Sequence, residues 1–219
     1  MEFADLPAGT ILENYGGGGR NFFEKLMNKM LTKAIQLHQR KVWPKSDHVD
    51  AAHSAIKLPN GKWLAIVAPR VSQTDEPLFP KEQARAYRWE GTTHFTPECW
   101  QALEAVANRL IGADYDFGQL MDIAIKQTFG WVPDTASIFD LGRKKKVCSV
   151  GVMACLYTGW QKIAEKFNTG NDYGADRTDY WKPNARSDGS TMNIERIPPA
   201  FFENEPRYTL IWERKGEHA

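Results

Sequence analysis

Cys148 lies where the chain changes character. Arg143-Lys144-Lys145-Lys146-Val147 precedes it, and the apolar run Val150-Gly151-Val152-Met153-Ala154-Cys155-Leu156-Tyr157 follows Ser149. That switch predicts a loop entering a buried helix, with Cys148 near the helix N-terminus. A thiol there meets the positive end of the helix dipole and four cationic side chains just upstream. Both favour the thiolate over a thiol that ordinarily titrates at about 8.5. The thiolate is the nucleophile of cysteine hydrolases. The competing reading is a small buried hydrophobe, which fits Cys155 well, seven residues further along the same run.

A nucleophilic cysteine needs a histidine to move protons, and the chain has five. His38 falls on a helical stretch beside Gln39 and Arg40 and is read as surface. His94 lies in a polar loop and His218 in the tail. His48 is also in a loop, whereas a strand holds His53 in a fixed place, which makes His53 the better partner. Its alternative is a half-buried histidine satisfied by backbone hydrogen bonds. The string Asp47-His48-Val49-Asp50-Ala51-Ala52-His53 offers two imidazoles and two carboxylates, so a hydrolytic metal held by His48, Asp50 and His53 is a further alternative. The spacing does not match the helical HExxH pattern. The preferred reading carries no metal and no cofactor.

The elements that must position these residues follow from pattern. Ala8 to Asn14 reads as a short strand, and Gly16 to Gly19 as a loop without the Lys-Ser/Thr of a phosphate-binding loop. Apolar residues recur at helical spacing from Phe22 to Leu37, with Asn21 and Glu24 as a capping box. Ala52–Leu58 and Lys62–Ala68 flank Asn60-Gly61, a hairpin signal that pairs Leu58 with Trp63, Ile56 with Ala65 and His53 with Ala68. His53 then stands at the open end of the hairpin, on the face of Ala55 and Lys57. A short strand is expected at Tyr87–Glu90. Thr96-Pro97-Glu98 opens a helix striped by Trp100, Leu103, Val106, Ala107 and Leu110 and stopped by Gly112. A second helix is expected over 117–129, and the Cys148 helix runs to about Phe167. Residues 168–190 read as a polar loop, and Tyr208–Glu213 as a final strand.

The 219 residues are 42% hydrophobic and 25% charged, with a formal charge of +1. That is a globular composition without a global field toward nucleic acid. Three cysteines make no disulfide framework. No stretch is apolar enough for a transmembrane segment, and the first residues lack the profile of a secretory signal. Cytoplasmic synthesis is the expectation; a phage-encoded protein or one exported without a cleaved signal has the same features. The oligomeric state is left open.

Taken in order, these motifs resemble a family. His53-Ser54-Ala55-Ile56-Lys57-Leu58-Pro59-Asn60-Gly61-Lys62-Trp63-Leu64-Ala65-Ile66-Val67-Ala68-Pro69-Arg70-Val71 resembles the histidine hairpin of the permuted papain-like amidases. These are relatives of the NlpC-type cell-wall peptidases and of lecithin:retinol acyltransferase, and the likeness is to their YiiX/YebB-like branch. Gly112-Ala113-Asp114-Tyr115-Asp116-Phe117 resembles the family's Gly-x-x-Tyr-Asp-Phe element, and Cys148-Ser149 its nucleophile. Ala8-Gly9-Thr10-Ile11-Leu12 is similar to its opening strand, and Ile197-Pro198-Pro199-Ala200-Phe201-Phe202 to its closing segment.

The resemblance implies a single α+β domain over residues 1–219. Its fold would be circularly permuted papain-like, with a small antiparallel sheet packed against the nucleophile helix. Residues 21–45 form a helical insertion, and the 168–190 loop is a second feature shaping the cleft. Cys148 would be the nucleophile and His53 the base, acting on a peptide, peptidoglycan-like or lipid acyl substrate. Tyr115 would lie near the site. The residue that orients the histidine falls near Val67 or Ala68, both apolar, so Asp47, Gln73, a backbone carbonyl or water would have to substitute. Those two apolar residues favour an alternative, a binding module of the same fold without the chemistry.

Overall fold

The computed structural model describes residues 1–15, 22–66, 70–77, 83–114, 148–169, 182–194 and 197–216. Tyr115, Val67, Ala68, the Gly16–Gly19 loop, the cap at Asn21, the helix expected over 117–129 and the Arg143–Lys146 run lie outside those residues.

The protein is α+β. Its elements are β1 (Thr10–Asn14), α1 (Phe22–Val42), β2 (His53–Lys57), β3 (Trp63–Ile66), β4 (Val71–Thr74), β5 (Ala84–Trp89), α2 (Pro97–Leu110), α3 (Cys148–Thr169), α4 (Phe201–Asn204) and β6 (Tyr208–Arg214). Among the described residues the strands form one six-stranded sheet in the order β4-β3-β2-β1-β5-β6, and every neighbouring pair is antiparallel. The register shifts between Ala86 and Tyr87, where β5 meets the edge strand β6.

Side chains alternate across a strand, so the sheet sorts its residues onto two faces. Ile11, Ile56, Leu64, Ile66, Tyr87 and Trp89 share a core with Leu103, Ala107 and Leu110 of α2 and with Cys148, Val152 and Cys155 of α3. α2 and α3 pack together, and α3 lies on β2 and β3. Leu12, Ala55, Trp63, Ala84 and Ala86 face the other way, under Leu6, Phe3 and Trp212. Phe3 stacks on Trp63 with ring centroids 5.4 Å apart.

The β2–β3 hairpin forms as its Asn-Gly signal predicts, but in a different register. Lys57 pairs with Trp63, Ile56 with Leu64 and Ala55 with Ala65. Pro59 explains the difference. A two-residue turn at Asn60-Gly61 would need an N–H from the residue before Asn60, and proline has none. The Leu58 N–H instead donates to the Lys62 carbonyl at 2.8 Å, and the Gly61 N–H donates to the Leu58 carbonyl at 3.0 Å. Pro59 therefore takes the first corner of a turn that Gly61 completes at φ +83°. β5 is longer than the Tyr87–Glu90 segment expected. β4 is an added edge strand that the sequence reading left out.

Candidate functional site

Cys148 is the first residue of α3 and is fully buried. The apolar residues after it drive this, since Val150, Val152, Met153, Cys155 and Leu156 are buried within two turns. Burial pushes the Cys155 thiol up to about 12, so it stays protonated and inert, as its reading as a hydrophobe requires. The first turn of α3 sits on the end of β3. A Cβ built on Gly151 would lie 2.2 Å from Ile66 Cδ1. Only glycine lets helix and strand approach so closely there.

Ile66 closes β3 at the open end of the hairpin, and β2 begins at that same end with His53. A chain of hydrogen bonds ties this end together. The Ser149 hydroxyl donates to the Ile197 carbonyl. The Ala200 N–H donates to Gln39 Oε1 at 2.8 Å, and Gln39 Nε2 donates to the carbonyls of Val49 and Ala51 at 2.7 and 3.0 Å. The Ala52 N–H then donates to the Asn14 carbonyl at 2.7 Å. The residue after Cys148 is thus linked, through the closing segment and α1, to the residue before His53.

His53 pairs with Asn14 across β1–β2, and its side chain is half-buried. Its Nδ1 is buried with no hydrogen-bond partner among the described residues. Desolvation holds the ring down to about 4, so the imidazole is neutral at pH 7. The regular β1–β2 register puts His53 on the face of Ala55, while Ser54 and Ile56 take the face of α3. His53 thus stands by alternation on the face away from Cys148, at the end of the hairpin on which the first turn of α3 sits.

The remaining expected site residues are scattered. Asp47 is exposed and lines an open depression formed by residues 42–48. Gln73, on β4, pairs with Leu64 of β3 and bonds Asn60 at the hairpin turn and Asn108 on α2, so it is committed away from His53. His48 Nδ1 lies 3.2 Å from an Arg85 nitrogen, and Asp50 is ion-paired with Arg40 at 3.3 Å. His48, Asp50 and His53 do not converge, and among the described residues no three His, Cys, Asp or Glu side chains form a metal-holding group.

Some structure was not anticipated. Gln39, read as a neighbour of surface residues, is fully buried and bridges three backbone groups. His38 is half-buried, and its ring is held below the ordinary histidine range by burial and by Lys41. Glu13 is wholly buried on the α3 face of β1, beside the buried Glu203 carboxylate of α4. The signal for Glu13 was available in its spacing: it falls two residues after Ile11, on the same strand face.

Among the described residues, a six-stranded antiparallel sheet with helices on one face makes an α+β fold, and the candidate site lies where the first turn of α3 meets the hairpin. Among solved structures, the chain is similar to a metalloprotein, YiiX, from Escherichia coli O157:H7. The likeness has 18% identity and a TM-score of 0.47, and spans 95% of this chain and 97% of that one. No family model matches the chain. No curated protein matches it.

Proposed function

We propose that this protein is a cysteine hydrolase of permuted papain-like architecture, cleaving an amide or acyl bond with Cys148 and His53. The observation that carries the reading is the seating of α3, whose first turn rests on the strand end next to His53. Cys148 Sγ attacks the substrate carbonyl while His53 takes the thiol proton. The backbone N–H groups at the start of α3 are donors for the resulting oxyanion. His53 returns the proton to the leaving nitrogen or oxygen, and the acyl group stays on sulfur. Water, deprotonated by the same ring, then releases the acid. A ring titrating at about 4 acts here as a neutral base rather than as a standing imidazolium. Peptide, isopeptide, peptidoglycan-like and lipid acyl carbonyls all satisfy this chemistry.

A second reading has its own support. Cys148 is fully buried, and His53 belongs by alternation to the opposite face. Both favour a binding module that keeps the architecture without the reaction. Iodoacetamide labelling followed by intact-mass analysis separates the two. The hydrolase requires Cys148 to react well before Cys99 and Cys155, and His53→Ala to abolish that lead. Slow, equal labelling of all three thiols supports the binding module.

A further inference from the structure

The region where β1, β5 and α4 meet holds more acid than base. Glu13 is 0% exposed, and neither of its carboxylate oxygens has a hydrogen-bond partner among the described residues. Opposite it on β2, the buried Ser54 hydroxyl is the polar group that faces Glu13. From α4, the Glu203 side chain is 0% exposed and accepts the Tyr87 hydroxyl and an Arg85 guanidinium N–H, each at 3.3 Å. Its Oε1 is left without a partner. Tyr15, following β1, brings another buried hydroxyl, which faces Glu203, and Arg85 lies over its ring at 5.2 Å. Arg85 is shared, since it also pairs with Glu213 of β6 at 2.8 Å. The remaining base, His48, lies 3.9 Å from Glu203 and is mostly exposed.

Full ionisation would set three carboxylates, two of them fully buried, against one guanidinium. Burying an uncompensated carboxylate is costly enough that such groups neutralise instead. Neither buried side chain is open to solvent, which favours a bare proton over a hydrated cation as the compensating species. We propose that Glu13 is kept as a neutral carboxylic acid at neutral pH and serves as a proton-operated latch between the sheet and the closing segment 197–205. Both carboxyls are pushed above the ordinary glutamate range, first by burial and next, for Glu13, by Glu203 itself.

The latch matters because of what the segment holds. Ile197 accepts the Ser149 hydroxyl, Ala200 is tied to Gln39, and the Asn204 amide donates to the His48 carbonyl at 2.6 Å. When Glu13 loses its proton, two buried anions face each other, and α4 is pushed away from β1. The first turn of α3 then loses its anchor. A carboxyl raised in the folded state contributes stability that is complete below its unfolded value, near 4.5, and is lost as pH rises through the folded value.

The test is the pH dependence of melting from neutral to alkaline pH, with hydrogen exchange at 197–205, in wild type, Glu13→Gln and Glu203→Gln. The infrared carbonyl stretch of a protonated carboxyl is followed in the wild type. Expected are a protonated-carboxyl band that Glu13→Gln removes, alkaline loss of protection at 197–205 in the wild type, and a flattened profile in the variant. Glu203→Gln leaves Glu13 alone and flattens the profile in part, and with the infrared band it decides the matter if Glu13→Gln does not fold. Unchanged profiles in the variants, absence of the band, or a wild-type melting temperature that rises with added sodium, calcium or magnesium would each overturn the proposal. None of these readouts depends on catalysis, so the latch and the hydrolase reading fail separately.

Discussion

At the scale of single residues, His53 carries the sharpest expectations. Its ring is neutral above about 4, so the acidic limb of kcat/KM for a cleaved substrate should fall near that value rather than near 6.5. The same shift acts on folding. The unfolded ring binds a proton near the ordinary imidazole value of 6.5, while the folded ring resists until about 4. Stability from this residue is therefore full above pH 6.5, declines as pH falls toward 4, and should do so less in His53→Gln, as urea midpoints across that window will show. If the hydrolase reading holds, Cys148→Ala and His53→Ala each lower kcat by roughly a thousandfold or more. Cys155→Ala should leave kcat within a few-fold, because that thiol is buried as a packing group. A Cys148→Ala protein that still hydrolyses a substrate at the wild-type rate removes the nucleophile assignment.

At the scale of elements, the contact of Gly151 with Ile66 is the one to probe. Gly151→Ala forces a methyl against the end of the Ile66 side chain and should destabilise the protein by about 1–3 kcal/mol. Combining it with Ile66→Val removes the colliding Cδ1 and should recover part of that loss, a coupling readable in a double-mutant cycle. Additive losses would mean that the two positions do not meet. The elements also show what the sequence could disclose. The start of α3 was readable because charge gives way to apolar residues within a few positions of Cys148. The stripe of α2 was readable from Leu103, Ala107 and Leu110. The hairpin was readable as a hairpin but not in its register, because the Asn60-Gly61 signal competes with Pro59, and the missing proline N–H wins. β4 was hidden because Val71-Ser72-Gln73-Thr74 is short and mostly polar, as an edge strand can be.

At the scale of the whole molecule, the groups that surround Glu13 come from β2, β5 and α4, far along the chain, so its burial could not be read locally beyond its place in the alternation. The same holds for His53: alternation within β2 was legible, whereas the face that α3 covers is a tertiary fact. The sheet's outer margin has a different consequence. Among the described residues β6 has a neighbour on one side alone, and it shows Thr209, Leu210 and Glu213 to solvent. Such a margin is a template for a second chain. The irregular pairing beside it at Ala86/Tyr87 and the Glu213-Arg214-Lys215 run are the features that discourage stacking of copies into fibrils. Replacing Arg214 and Lys215 with valine should make the sedimentation coefficient rise more steeply with concentration than in the wild type and should increase binding of an amyloid dye.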